Sequence, residues 1–217
     1  MWQMTSLATD GYEIHRGYSN IDTNILEYMK EYAKKAEPIF NDNTTNRRND
    51  RLRRQISLPT QQTWLKQIRQ KLQDTYPEHQ ITDAVLLQSL PGCRRQAAHC
   101  DYVPSPELLN TNTKTKTQPL LFILALENDT YLDVWAGSHL RKSARSNPIL
   151  PTRLTLNTGD AIIFRPDLVH AGSAYEKSNI RVHFYIDHPS VPRDPNRTWI
   201  IYKHASEMER ARILETV

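Results

Sequence analysis

The chain has 217 residues, of which 38% are hydrophobic, and a formal net charge of +4. This is enough for one domain with decorated ends to bury a core without staples. Two cysteines exclude a disulfide scaffold and a four-cysteine zinc site. No stretch approaches the ~20 apolar residues of a membrane span. Met1 to Thr5 lacks the basic-then-apolar pattern of a signal peptide. The reading is an intracellular, cytoplasmic protein, with the nucleus left open and no membrane partner.

Residues 1–80 read as a polar, helical region that packs on a core. Ile25, Leu26, Met29, Tyr32 and Ala33 recur at helical spacing, and Asn20 or Asp22 can cap that helix. Trp64, Leu65, Ile68 and Leu72 mark a second helix, which Pro77 closes. Between them, Arg47 to Arg54 holds five Arg and one Asp. Its net +4 equals the charge of the whole chain, so the basicity is local. The segment reads as a solvated basic loop or helix start, with an anionic partner such as nucleic acid as the functional alternative.

Residues 81–188 change texture. Short apolar runs recur between turn signals: Asp83–Leu90, Leu120–Leu126, Tyr131–Trp135, Arg153–Leu156, Ala161–Arg165 and Arg181–Asp187. Such spacing predicts a sandwich, jelly roll or barrel. Pro104 to Gln118 is rich in Pro, Asn, Thr and Lys and reads as a long loop and candidate lid. Residues 189–217 read as an extension with a short helix near Ala205–Leu214.

Chemistry concentrates in this central zone. On a strand, alternate side chains share a face. His99 and Asp101 then point one way and Cys100 the other. A Gly159-Asp160 turn leads into the apolar run 161–164 and on to His170. Next, Arg181, His183 and Tyr185 share one strand face, while Val182, Phe184 and Ile186 share the opposite one. An inward Arg181 is costly unless it meets an anion, and its planar fork suits a carboxylate. Two His and one carboxylate on one face of an octahedral ion constitute the triad of non-haem Fe(II) oxygenases. His139 and His183 read as structural, with outer hydrogen bonding to the metal site as their functional option. Cys93 and Cys100 read as buried free thiols.

From about Leu86 to Asp187 the chain resembles the Fe(II)/2-oxoglutarate-dependent dioxygenase superfamily. The resemblance rests on His99-x-Asp101, the distal His170 and the basic Arg181. The 11-residue step from His170 to Arg181, together with Ala125 to Asp129 and Trp135-Ala136-Gly137-Ser138-His139, resembles the phytanoyl-CoA-hydroxylase-like branch. The Arg-x-Asn-x-Thr-x-Arg pattern of the nucleic-acid-repairing branch does not occur around Arg181. The resemblance implies a mainly β fold with flanking helices, built on a double-stranded β-helix (jelly-roll, cupin-like) core. It implies Fe(II) on His99, Asp101 and His170, with 2-oxoglutarate and O2 as cosubstrates. The far carboxylate of 2-oxoglutarate would meet Arg181, aided by Gln88 and by a hydroxyl such as Ser173 or Tyr185. The implied reaction is hydroxylation of a C–H bond, coupled to decarboxylation of 2-oxoglutarate to succinate and CO2. A small-molecule substrate is the first expectation, and a nucleic acid or protein substrate, hydroxylated or demethylated, the second. A non-catalytic cupin-like binding protein is the competing class, and a Zn or Mn enzyme using the same triad is a further one.

Overall fold

A computed structural model describes residues 5–39, 51–59, 61–102, 117–140 and 150–193, and the backbone of 199–200. Twelve strands and two helices are seen among them. In chain order they are β1 (Tyr12–His15), α1 (Thr23–Ala33), β2 (Glu37–Pro38), β3 (Arg53–Ser57), α2 (Thr63–Thr75), β4 (Gln80–Ser89) and β5 (His99–Cys100). There follow β6 (Leu120–Ala125), β7 (Thr130–Val134), β8 (Thr152–Leu156), β9 (Ala161–Phe164), β10 (His170–Gly172), β11 (Asn179–Asp187) and β12 (Trp199–Ile200).

The strands make two antiparallel sheets. The major sheet has the order β1-β9-β6-β11-β4-β3-β2, and the minor sheet β12-β5-β10-β7-β8. Strand alternation gives the major sheet two apolar faces. Leu120, Phe122 and Leu124 of β6 join Leu86, Val182, Phe184 and Ile186 under the helices. Leu121, Ile123 and Ala125 face the other way and pack with Leu132, Val134, Leu154 and Leu156 of the minor sheet. Burial on both faces is why 120–126 reads as a continuous apolar run instead of an alternating one. The result is a jelly-roll type of sandwich with helices over one face.

Both helices form where the periodicity places them. Asp22 caps α1 by accepting the Ile25 N–H at 2.8 Å. Met29 and Ala33 of α1, and Trp64, Leu65, Ile68 and Leu72 of α2, are the buried stripe. Helices of this length are marginal alone, so their stability comes from that stripe on the sheet.

The first 80 residues are not only helical, which corrects the expectation. β1 pairs with β9, and β3 pairs with β4, so this region widens the major sheet on both sides. The segment 53–57 is a strand, not a basic loop. It alternates: Ile56 packs on the helix-side core, while Gln55 and Ser57 face a cavity. Arg53 is fully buried. Residues 47–50 of the basic run, most of the segment 104–118 read as a loop and the segment 205–214 read as a helix lie outside the described residues. No helix among the described residues is long and apolar enough to cross a membrane.

Candidate metal centre

The minor sheet brings the two histidines together. β5 and β10 are antiparallel neighbours, and His170 is the direct partner of His99. Directly opposed residues put their side chains on the same face, and the two rings lie 4.4 Å apart. Asp101, one residue beyond β5, completes the group. His99, Asp101 and His170 each offer a ligand atom within 4.8 Å of the others. Cys100 points away and is buried with Val169, against Ala98 and Trp135.

Hydrogen bonds orient both rings. His99 Nδ1–H donates to the Ala97 carbonyl at 2.8 Å, and His170 Nδ1–H donates to the Leu168 carbonyl at 3.0 Å. A carbonyl can only accept, so Nδ1 of each ring carries a proton and Nε2 is the nitrogen left to face Asp101. The two Nε2 atoms stand 3.7 and 3.6 Å from Asp101 Oδ1. Those separations are too long for hydrogen bonds and short enough to share one ion. Phe164 packs edge-on to His170 at 5.0 Å.

The electrostatics suit a cation. Burial, then the neighbouring His170, push the His99 pKa down to about 4, so the ring is neutral at pH 7. Burial works against the Asp101 carboxylate, but His170, His99 and His183 outweigh it and lower its pKa. Two imidazole nitrogens and one carboxylate are the donor set that suits Fe(II), with positions left open. The residues present therefore fit such an ion.

The turn into His170 is rigidly held. Arg165 forks onto Asp167 at 2.9 and 2.8 Å, and both are buried. The Val169 N–H donates to Ser138 Oγ at 2.9 Å. His139 Nε2 meets the Ala8 carbonyl at 3.1 Å. Ser138 of the Gly-Ser-His turn thus ties down the segment before His170, and His139 reaches back to the N-terminal turn.

The triad opens on a cavity of about 540 Å³ between the sheets. β11 supplies Arg181, His183 and Tyr185 to its wall, as strand alternation predicts. Val85, Leu87, Ile123, Leu132 and Phe164 make the apolar part. A bulge in β4, where Asp83 and Ala84 oppose Phe184 and Asp83 has φ 42°, turns Asp83 toward the same cavity. Arg193 covers one side. It pairs with Asp83 and, at 3.2 Å, with Asp187, and its guanidinium lies 3.8 Å from the Tyr185 ring centre. Burial, then Asp101, raises the Tyr185 pKa, so its phenol stays protonated.

Two expected residues are placed elsewhere. Gln88 shares a face with Leu86, not with the cavity residues Val85 and Leu87; it is one residue out of phase. The Ser173 hydroxyl is buried and donates to Asp133 Oδ1 at 2.7 Å. The hydroxyl beside Arg181 is that of Ser89, which accepts from Arg181 Nη1 at 3.0 Å. His183 is closer to the centre than a purely structural residue. Its Nε2 is 3.7 Å from Asp101 Oδ2, and its position on the Arg181 face was the available signal. Ser89 carried no such signal, because its role depends on a contact distant in sequence.

The sequence matches no protein-family model and no curated protein. Solved structures do share the fold. HygX from Streptomyces hygroscopicus, with nickel and 2-oxoglutarate bound, is 12% identical with a TM-score of 0.58, covering 84% of this chain and 85% of its own. A Pseudomonas putida prolyl-4-hydroxylase is 10% identical with a TM-score of 0.58, covering 84% of this chain and 95% of its own. The epimerase SnoN, in complex with Fe3+, alpha-ketoglutarate and nogalamycin RO, is 15% identical with a TM-score of 0.55, covering 89% and 91%. At these identities the likeness is one of fold, and function has to be argued from the site.

Proposed function

We propose that the protein is an Fe(II)- and 2-oxoglutarate-dependent oxygenase acting on a small molecule, with hydroxylation of a C–H bond as the reaction. The observation that carries this reading is the convergence of two free His Nε2 atoms and a carboxylate in a cavity whose wall also presents a buried Arg181. The phytanoyl-CoA-hydroxylase-like spacing supports the same reading. The neighbours support the chemistry: HygX has also been solved with hygromycin B bound, and SnoK is described as an alpha-ketoglutarate-dependent carbocyclase. Neighbours described as an epimerase and a carbocyclase share this fold, so hydroxylation has to be read from the product formed.

Bound Fe(II) and 2-oxoglutarate would supply O2 activation coupled to oxidative decarboxylation. The chain's own part is to bind, orient and keep water out. His99, Asp101 and His170 would hold the ion, with both imidazoles fixed as Nε2 donors by backbone carbonyls. Arg181 would take the far carboxylate of 2-oxoglutarate. Ile123, Leu132 and Phe164 keep the reacting end apolar. Tyr185 and Arg193 wall the substrate side. The cavity volume suits a small molecule.

The test is anaerobic reconstitution with Fe(II) and 2-oxoglutarate, read by visible absorbance. A weak charge-transfer band is expected in the wild type, absent in His170→Ala and weakened in Arg181→Ala. A folded wild-type protein without the band would overturn the proposal in favour of a binding protein.

A further inference from the structure

Arg53 is the largest fully buried side chain of the described residues, and it comes from the basic run of the N-terminal region. A buried cation is costly unless its donors are satisfied. Its Nη2 donates to the carbonyls of Arg94, Gly172 and Ser173 at 2.8, 3.1 and 2.5 Å. Its Nη1 donates to Ser89 Oγ at 3.2 Å. The same oxygen accepts from Arg181 Nη1 at 3.0 Å. Two guanidinium groups therefore meet on one hydroxyl, and a hydroxyl oxygen has the two lone pairs this requires.

The two arginines are used differently. Arg53 directs Nη1 and Nη2 at protein oxygens and is not among the residues lining the cavity. Arg181 lines the cavity, and Ser89 is its one hydrogen-bond partner among the described residues. The Tyr175 ring lies 5.7 Å from its guanidinium carbon. Fixed at one nitrogen, the rest of its fork is left for a ligand. Two like charges gathered on one hydroxyl also repel each other in a poorly screened interior, and an arriving carboxylate relieves that repulsion.

We propose that Arg53 and Ser89 are positioning residues for the carboxylate pocket: Arg53 anchors Ser89, Ser89 aims Arg181, and the paired cations make the pocket select a ligand with a far carboxylate. The inference rests on the proposed 2-oxoglutarate reading and adds its selectivity device. Arg53 acts through Ser89 and Arg181 and does not touch the ligand.

The experiment is equilibrium binding by calorimetry to Ni(II)-loaded protein. The probes are 2-oxoglutarate and 2-oxobutyrate, which has the same 2-oxo acid end and no far carboxylate. Wild type is expected to prefer 2-oxoglutarate. Ser89→Ala weakens 2-oxoglutarate by about tenfold, the value of one hydrogen bond to a charged group. It leaves 2-oxobutyrate and Ni(II) affinities unchanged. Arg53→Lys, which keeps the charge but cannot span four acceptors, shifts the same ratio. If Arg53→Lys does not fold, Ser89→Ala decides alone. An unchanged preference in Ser89→Ala, or equal losses for both acids, overturns the inference while leaving the functional reading standing. A wild type that binds neither acid, or both alike, overturns the functional reading and this inference with it.

Discussion

His99 and His170 face each other as direct partners across β5 and β10, their rings 4.4 Å apart. Seventy-one positions separate them in sequence, and one antiparallel register joins them. With Nδ1 of each ring bound to a carbonyl only two residues before it, each Nε2 has little freedom to turn away. The chain's own backbone thus holds both rings, which lowers the ordering cost of binding an ion.

Removing one ligand is expected to abolish tight metal binding without unfolding the chain. Asp101→Ala leaves two neutral nitrogens and no compensating charge. Titration with Fe(II) or Ni(II) should show an affinity loss of at least the ~10–100-fold seen when even outer partners of metal sites are changed. Wild-type affinity in Asp101→Ala would remove Asp101 from the ligand set.

Gly172→Ala is expected to destabilise the protein and loosen the β10 strand. An added Cβ would stand 2.7 Å from Arg53 Nη1 and closer still to Gln96 Oε1. Gln96 cannot retreat freely, because Oε1 accepts the Gly172 N–H at 3.0 Å and its own N–H donates to the Gly172 carbonyl at 2.9 Å. Overpacking of this kind costs about 1–3 kcal/mol. A thermal melt measures it; an unchanged Tm would show that the pocket floor yields.

Asp167→Asn should be among the more damaging single substitutions outside the site. It removes the charge from a buried pair whose two oxygens both accept from Arg165. Breaking such a pair costs about 3–5 kcal/mol. Denaturant unfolding would report it, and the turn before His170 should lose hydrogen-exchange protection first.

Acid should destabilise the metal-free protein. Burial holds His99 and His183 near a pKa of about 4, below the ordinary 6.5. Between those values the unfolded chain binds more protons, so stability is full above about 6.5 and falls as pH drops toward about 4. The lowered Asp101 pKa acts in the same direction, its contribution being lost as pH falls through the carboxylate range. Denaturant midpoints at pH 7.5, 6 and 5 should decline in that order. His183→Gln should flatten the slope, and a slope unchanged by that substitution would remove His183 as a source.

Local patterns in the sequence determined a great deal. Helical spacing located α1 and α2, and the apolar runs located β4, β6, β7, β8, β9 and β11 to within a few residues. Period-two alternation placed Arg181, His183 and Tyr185 on one face, and the cavity lies on that face. These are properties of a single strand or helix, readable wherever one periodicity decides burial. Tertiary structure alone decided what meets across strands. The short strands β2, β5, β10 and β12 carry two or three residues each, too few for a period to register. Gln88 and Ser173 follow from the resemblance and from residue type, yet a one-residue phase turns Gln88 away and Asp133 takes the Ser173 hydroxyl. In sequence, Arg53 belongs to a basic run that reads as solvated. Its burial is set by four oxygens from β4, β10 and the segments beside them, which no local pattern contains.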